Sequence, residues 1–191
     1  MSRGKIIILS GPSGSGKTTL HKKLLLSKRL KGHLVASVSV TTRTRRSGER
    51  TGRDYLFISK KQFIYKKNAG HLLEWQKVFD NYYGTPKKNI ASLLKKGKNV
   101  LLCIDVKGAR VVRRLYRDAI SIFIAAPSWN ELKRRLIKRA SETKETLDLR
   151  LKIARKEMEE AKYYDYIVVN DSVQKALKSL VTIICREIKG S

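Results

Sequence analysis

The sequence predicts an α/β protein in which a parallel sheet is covered by helices on both faces. Three observations point to this fold. Short apolar, β-branched runs alternate along the chain with stretches of helical periodicity. The apolar run at residues 6–9 is followed at once by a glycine-rich turn and a helix. The length of 191 residues and the hydrophobic content of 41% suit one compact core.

The predicted strands are short and apolar or alternating, and the predicted helices have apolar residues at helical spacing. In chain order they are a strand at 6–9, a helix at 18–26, strands at 33–40 and 55–58, a helix at 59–70, a strand at 72–79, a helix at 87–96, a strand at 100–106, a helix at 108–116, a strand at 120–125, helices at 128–139 and 143–164, a strand at 167–169 and a helix at 173–188. Capping-box patterns begin two of the helices, at Ser59 with Gln62 and at Ser128 with Glu131. Gly70 and Gly97 stand where two helices are expected to end.

The stretch between about residues 37 and 86 departs from the alternation of strands and helices. Its strands follow one another through short loops and carry many polar side chains. A polar loop rich in Arg and Gly is expected at 41–54, and a turn at 81–86. This stretch is therefore predicted to be a smaller lobe inserted into the α/β core.

The glycine-rich turn is a P-loop in its proper context, because it lies between a buried strand and a helix. Residues 11–18 read Gly-Pro-Ser-Gly-Ser-Gly-Lys-Thr. The glycines let successive backbone N–H groups point inward around a phosphate chain. Lys17 adds a charge for the β- and γ-phosphates, and the Thr18 hydroxyl is suited to hold Mg²⁺. The motif indicates a nucleoside triphosphate, whereas the plainer interpretation is a turn without a ligand.

The net charge of +27, from 43 Lys and Arg against 16 Asp and Glu, would ordinarily suggest nucleic acid. The basic residues are spread over nearly every segment, however, so we expect only non-specific affinity for nucleic acid. No apolar run approaches the roughly 18 residues that cross a bilayer, and a cytoplasmic protein without a membrane partner is predicted. Cys103 and Cys185 lack metal-ligand spacing and are interpreted as small buried hydrophobes.

Three further segments concentrate polar chemistry. The loop that begins at Ser39 and ends at Tyr55 carries several guanidinium groups suited to a phosphomonoester. Glu74-Trp75, followed by Asn-Tyr-Tyr-Gly-Thr-Pro at 81–86, places a carboxylate and two phenols on the same lobe. A third cluster of arginines lies on consecutive predicted helices, at positions 134, 135, 139 and 150.

Together these segments resemble the guanylate kinase family over almost the whole chain, in order and at natural spacing. The family shares the P-loop and five further stretches, which here are residues 39–55, 74–85, 104–108, 135–139 and 169–171. The resemblance implies a P-loop parallel-sheet core at 1–36, 87–126 and 165–191, a GMP-binding lobe at 37–86 and a helical lid at 127–164. It also implies transfer of the γ-phosphoryl of MgATP to GMP, and to dGMP as well.

The resemblance carries site roles onto matching positions. The residues expected to bind ATP are Gly11, Pro12, Ser13, Gly14, Ser15, Gly16, Lys17, Thr18, Thr19 and Asn170, with Thr18 on Mg²⁺. Those expected to bind GMP are Ser39, Arg43, Arg46, Tyr55, Glu74, Tyr83, Thr85 and Asp105. The residues expected to be catalytic are Lys17, Arg135, Arg139 and Arg150.

The chemistry of the substrates supports these roles. Guanine presents N1–H and N2–H₂ as adjacent donors, so one carboxylate, Glu74, can accept from both, while adenine offers an acceptor at N1. A phosphate monoester is largely ionised at neutral pH, so the acceptor oxygen needs no general base. Catalysis is then positioning and charge neutralisation as the lobes close.

Other interpretations remain beside this one. Glu74 could be a solvated strand carboxylate, Arg150 could form an ordinary helical ion pair, and Asn170 could merely cap the last helix. The chain could also be a guanylate-kinase-like binding module, a kinase of another nucleotide, or a nucleic-acid-binding protein. The intact Gly-Lys-Thr at 16–18 argues against the module, and Glu74 beside Tyr83 argues against the others. The chain is expected to be a monomer or a homodimer.

The sequence departs from the family pattern at a few positions. These are Arg45 where Pro is usual, Cys103 where an acid is common, Lys107 where Gln is common, and Ala140-Ser141 where Gly-Thr is usual. None of them removes a group that the chemistry above requires.

Overall fold

A computed structural model of the chain describes residues 3–78, 80–139 and 144–189. The elements follow one another as β1 (Ile6–Ser10), α1 (Lys17–Leu25), β2 (Leu34–Ala36), β3 (Val40–Thr41), β4 (Leu56–Phe57), α2 (Lys60–Asn68), β5 (Leu72–Val78), β6 (Asn81–Pro86), α3 (Lys87–Lys95), β7 (Asn99–Cys103), α4 (Val106–Leu115), β8 (Ile120–Ala125), α5 (Trp129–Arg139), α6 (Lys144–Glu159), a 3₁₀ turn (Glu160–Tyr163), β9 (Tyr166–Val169) and α7 (Val173–Lys189). None of the helices in these residues is long and apolar enough to cross a membrane.

Five strands form the main sheet, in the order β2-β7-β1-β8-β9, and every neighbouring pair is parallel. All five residues of β1 are buried, which is typical of a central strand covered on both faces. The side chains of Ile7 and Leu9 pack with α1 and α7, whereas those of Ile6 and Ile8 pack with α3 and α4. The predicted α/β class with helices on both faces is therefore confirmed.

Four strands form a second, smaller sheet in the order β4-β3-β6-β5. β3 and β4 are parallel, while β6 runs antiparallel to both β3 and β5. All of these strands come from residues 40–86, inside the predicted inserted lobe. The sheet therefore stands apart from the main one, although the lobe boundaries at 37 and 86 stay predictions.

Two strand predictions in this lobe were wrong. Residues 81–86 are not a turn but the strand β6, which pairs antiparallel with β5; at Gly84 a Cβ would lie 2.9 Å from the Leu72 side chain, so glycine lets the two strands pair there. The single strand predicted at 33–40 is two strands: β2 pairs with β7 in the main sheet, while β3 joins the small sheet. Strand pairing of this kind depends on the neighbour and not on local alternation.

The end of one strand and the end of one helix also differ from the sequence prediction. The strand predicted at 100–106 ends at Cys103, because Asp105 caps α4: its Oδ1 accepts a hydrogen bond from the Gly108 N–H at 2.7 Å. The helix predicted at 143–164 tightens into the 3₁₀ turn after Glu159. The capping box at Ser59 and Gln62 is confirmed, since both of its hydrogen bonds are present.

Helices α5 and α6 form a hairpin with a small apolar cluster of its own. Leu132 and Leu136 of α5 pack against Ala154 of α6, with Trp129 at the edge. This hairpin lies in the stretch expected to be a lid. Its apolar cluster is separate from the two cores of the main sheet.

Candidate active site

The floor of the site is the loop between β1 and α1. Gly11 and Gly16 have φ values of 135° and 91°, which favour glycine. A Cβ at Gly11 would meet the carbonyl oxygen of Ile124, and one at Gly16 would meet the amide of Asn170, so both positions also require close approach. The sequence therefore folds here as the predicted P-loop.

Lys17 and Asn170 hold the shape of this loop. The Lys17 ammonium donates to the carbonyl oxygens of Gly11 at 2.6 Å and Pro12 at 2.8 Å. The buried Asn170 side chain donates to the Ser15 carbonyl at 2.8 Å. Asn170 comes from the end of β9, so this hydrogen bond ties the loop to the edge of the main sheet. Its amide nitrogen is thereby engaged with protein backbone.

A buried carboxylate lies on the small sheet. Glu74 of β5 is only 6% exposed, and Thr85 of β6 donates a hydrogen bond to its Oε1 at 2.5 Å. The two residues face each other in the β5–β6 register, which explains the contact. Burial and the nearby Asp105 raise the pKa of Glu74 to about 7, although the Thr85 hydroxyl acts in the opposite direction. The second oxygen of Glu74 lies close to Gly108, at the start of α4.

Asp105 enters the same region from the end of β7. Burial raises its pKa, while the Gly108 N–H and the Lys17 charge act against that rise. Cys103, two residues earlier, is only partly buried and lines the cavity, so it is not the buried hydrophobe that was predicted. Cys185 is buried as expected. The carboxyl ends of parallel strands gather at one edge of the sheet, which brings Asp105 close to the P-loop.

Arginine and tyrosine side chains form a cluster on the lobe. The Arg43 guanidinium lies 5.7 Å from the centre of the Tyr55 ring, and the Tyr55 and Tyr83 rings are 6.0 Å apart. Glu49 holds Arg43 by accepting from its Nη2 at 2.8 Å and 3.0 Å. Glu49 also accepts from the backbone N–H of Arg46 at 2.8 Å. One carboxylate thus orients both the arginine side chain and the loop that follows it.

The ionisation of this cluster follows from its contacts. Burial acts to raise the pKa of Glu49, but hydrogen bonds from Arg43 and Arg46 outweigh it and lower the pKa. Burial raises the pKa of Tyr55 to about 12, so its phenol keeps its proton at neutral pH. The cluster therefore offers a guanidinium and hydroxyl donors to an anion.

The loop after Arg46 is attached to the core through Asp54. Its carboxylate is 2.5 Å from the Lys22 ammonium on α1 and also accepts from Arg53. Although burial acts to raise the pKa of Asp54, hydrogen bonds from Lys22, Arg50 and Arg53 hold it well below its usual range. Because α1 starts at the P-loop, this ion pair links the small lobe to the helix that begins at the floor of the site.

Helix α6 supplies the opposite wall. Arg150, Ile153 and Glu157 share one helix face and line the same cavity. Burial raises the pKa of Glu157, while Lys17 and the Ser13 N–H act to lower it. A carboxylate of α6 therefore faces the groups of the P-loop.

Arg135 of α5, unlike Arg150, is not among the residues that line the cavity. Its Nε donates to Glu131 at 2.7 Å and its Nη2 to the Asn170 carbonyl at 3.1 Å.

These elements enclose one cavity of about 850 Å³. The predicted site residues that line it are Gly11, Ser13, Gly14, Gly16, Lys17, Thr18, Ser39, Arg43, Arg46, Tyr55, Glu74, Tyr83, Asp105 and Arg150. The remaining described ones, Pro12, Ser15, Thr19, Thr85, Asn170 and Arg135, are not among its lining residues. Thr85 instead forms a hydrogen bond to Glu74, and Asn170 forms one to the Ser15 carbonyl of the P-loop. The side chain of Arg139, as well as Ala140 and Ser141, lies outside the described residues.

Sequence reasoning missed several residues of the cavity wall, among them Glu49, Gln76 and Glu157. Gln76 could have been found, because strand alternation places it on the face of Glu74. Glu157 could also have been found, since it follows Arg150 by two helical turns. Glu49 lies in the stretch 39–55 that carries the resemblance, but its contact with Arg43 depends on how the loop folds.

Comparisons with known proteins agree with this arrangement. Residues 3–187 match the family model described as guanylate kinase. A guanylate kinase of Clostridium tetani is 46% identical over 187 residues, which cover 98% of this chain and 88% of that protein. A guanylate kinase of a Wolbachia from Brugia malayi is 43% identical, covering 97% of this chain and 94% of its own.

Among solved structures, the crystal structure of guanylate kinase from Anaplasma phagocytophilum superimposes with a TM-score of 0.80 at 36% sequence identity. It covers 98% of this chain and 87% of its own chain. Family match, sequence identity and fold agree over nearly the full length, and the chain therefore belongs to the guanylate kinase family.

Proposed function

We infer that this chain transfers the γ-phosphoryl group of ATP to GMP, giving ADP and GDP. One observation carries the proposal: the P-loop and a buried carboxylate flanked by arginine and tyrosine side chains open into a single cavity. A donor site and an acceptor site in one cleft are what a nucleotide kinase requires. Family membership supports the same reaction, and dGMP is proposed as a second acceptor.

Glu74 is proposed to select guanine. Its ionised carboxylate would accept from N1–H and N2–H₂ of the base, while Thr85 already bonds its Oε1. Adenine presents an acceptor at N1, which would face the carboxylate without a proton between them. Because an unpaired buried polar group costs roughly 1–3 kcal/mol, two or three mismatches should reject AMP by orders of magnitude. Ser39 and Asp105 line the same cavity and are proposed to contact the base as well.

Arg43, Arg46, Tyr55 and Tyr83 are proposed to hold the GMP phosphate. Glu49 keeps the Arg43 guanidinium beside Tyr55 before the substrate arrives, so little side-chain ordering is left to binding. The phosphate is largely ionised at neutral pH, and its oxygen can attack without a general base. The protein then needs only to align this oxygen with the γ-phosphorus.

Lys17 and the backbone N–H groups of the P-loop are proposed to hold the ATP phosphates. The Lys17 ammonium donates to two loop carbonyls, so it already points at the loop that would surround the phosphates. The Thr18 hydroxyl is an oxygen donor of the kind that Mg²⁺ prefers, and Thr18 would hold that ion. When bound, Mg²⁺ neutralises charge on the ATP phosphates.

The lid arginines are proposed to neutralise the charge that moves during transfer. Arg150 lines the cavity, whereas Arg135 is bonded to Glu131 and to the carbonyl of Asn170. Arg135 would therefore need the lid hairpin to shift before it reaches the phosphates. Arg139 is proposed for the same task on the resemblance alone.

A coupled assay of ADP release tests the proposal, with GMP, dGMP, AMP, UMP and dTMP as acceptors. Rapid turnover is expected with GMP and dGMP, and turnover lower by orders of magnitude with the other three. ATP binding is measured in parallel. Absence of turnover with GMP, under conditions in which ATP binds, would overturn the proposed function.

A further inference from the structure

Gln76 is a polar side chain in the cleft that the proposed mechanism does not use. It follows Glu74 by two residues on β5 and lines the same cavity. Because successive side chains of a strand point to opposite faces, Gln76 and Glu74 share the face of the sheet that looks into the cleft. Trp75 and Lys77 lie on the other face.

The partner of Gln76 across the sheet is Tyr83, just as Thr85 is the partner of Glu74. Tyr83 belongs to the cluster proposed to hold the acceptor phosphate, with its ring 6.0 Å from that of Tyr55. Gln76 thus lies beside the group that reads the base and opposite a group that holds the phosphate. In a nucleoside monophosphate the ribose joins these two parts, so the ribose is the part that should lie nearest Gln76.

The carboxamide of Gln76 is chemically suited to a hydrogen bond with ribose. A carboxamide can both donate and accept, and a ribose hydroxyl can do the same. Gln76 is partly buried, and among the described residues none forms a hydrogen bond with its side chain. The guanine edge and the phosphate already have Glu74 and Arg43, whereas no other proposed role covers the sugar.

We propose that Gln76 hydrogen-bonds a ribose hydroxyl of the acceptor nucleotide and makes the site prefer the ribonucleotide over a deoxy analogue. The proposal rests on the proposed function, since it names a further contact in the same acceptor site. It makes Gln76 a specificity-determining residue: the loss of its amide should affect acceptors that carry the hydroxyl and leave the others unchanged.

The test compares kcat/KM for GMP, 2′-deoxy-GMP and 3′-deoxy-GMP in the unmodified protein and in Gln76→Met, which keeps the length of the side chain. The unmodified protein should disfavour one of the two deoxy acceptors by about three- to tenfold, the worth of one net hydrogen bond. In Gln76→Met, kcat/KM for GMP should fall by that factor, while the value for the disfavoured deoxy acceptor stays the same. The deoxy acceptor that is disfavoured shows which ribose hydroxyl Gln76 binds.

Lys77→Met is the matched control, because it alters the same strand on the opposite face and should keep the original ratios. Thermal unfolding of both variants checks the fold, and Gln76→Ala replaces Gln76→Met if the latter is unstable. Unchanged ratios in the variant, or an equal loss with all three acceptors, would overturn the proposal. If the unmodified protein phosphorylated none of the three acceptors, that result would instead contradict the proposed function.

Discussion

At the scale of single residues, the site is built from charges whose partners are already in place. Glu49 orients Arg43, Thr85 bonds Glu74, and two loop carbonyls hold Lys17. Such contacts reduce the side-chain entropy that binding would otherwise have to overcome. They also make the roles of Lys17 and Glu74 separable by mutation.

Lys17→Ala should lower kcat by orders of magnitude and leave GMP affinity nearly unchanged. Lys17 serves the donor phosphates, while the acceptor contacts lie on the small lobe. Steady-state kinetics and calorimetric GMP binding measure the two effects. Lys23→Ala, an exposed lysine on the same helix, is the control and should behave like the unmodified protein. A near-normal kcat in Lys17→Ala would refute its role.

Glu74→Gln should gain stability and lose activity. The folded-state pKa of Glu74 is about 7, above its ordinary value of 4.5. The carboxyl group therefore contributes its full stability below pH 4.5, and that contribution is lost as pH rises through 7. The glutamine side chain does not ionise, so the variant avoids this loss of about 3 kcal/mol in the free energy of unfolding. Relative to the unmodified protein, the variant should therefore gain unfolding free energy between pH 5 and pH 8, while kcat/KM for GMP falls at least a hundredfold.

Urea unfolding at the two pH values measures the stability change. Glu131→Gln is the control, because hydrogen bonds from Arg134 and Arg135 lower the pKa of Glu131 to about 2 and it is ionised at both pH values. Its effect should be the same at pH 5 and pH 8. Equal effects of Glu74→Gln at the two pH values would show that the buried carboxylate carries no such penalty.

At the scale of elements, each secondary-structure element brings one kind of group to the cleft. The β1–α1 loop supplies backbone N–H groups, the small sheet supplies Glu74 and Tyr83, and α6 supplies Arg150 and Glu157. Arg150 and Glu157 carry opposite charges and lie two helical turns apart on α6. The Glu157 carboxylate faces the P-loop, where the phosphates of ATP are expected.

Glu157→Gln should strengthen ATP binding. The carboxylate faces Lys17 and the Ser13 N–H, groups that the ATP phosphates also need, and like charges repel. A roughly fivefold lower Kd is expected, equivalent to about 1 kcal/mol. Calorimetry with ATP in the absence of GMP measures it. Glu159→Gln, exposed on the same helix, should leave the Kd unchanged, and weaker ATP binding in Glu157→Gln would contradict this account.

At the scale of the whole molecule, the two sheets and helix α6 meet around one cavity, while the positive charge extends far beyond it. Of the Lys and Arg side chains that the structure describes, four line the cavity, namely Lys17, Arg43, Arg46 and Arg150. Most of the excess charge therefore belongs to the general surface, where it attracts polyanions without selecting among them.

Retention on heparin should consequently survive saturation with GMP. The salt concentration at elution should change little when GMP is present, because only a few cleft cations become occupied. Chromatography with and without GMP measures this, and AMP is the control nucleotide. If GMP abolished retention, the positive charge would belong largely to the active site.

The sequence by itself determined the class of fold and the identity of most cleft residues. Buried β-branched runs, the glycine-rich loop and the capping residues act over a few positions, so the strands of the main sheet and helices such as α2 could be predicted locally. The residues expected to bind GMP were implied by the resemblance to the guanylate kinase family, and seven of the eight line the cavity.

Only the tertiary structure decided how those residues are paired. The strand β6 depends on β5, the split of residues 33–40 depends on two different sheets, and the engagement of Asn170 with Ser15 joins positions far apart in the chain. These are contacts between distant elements, and no local pattern encodes them, because strand pairing and side-chain partners are chosen by the neighbour that folding supplies.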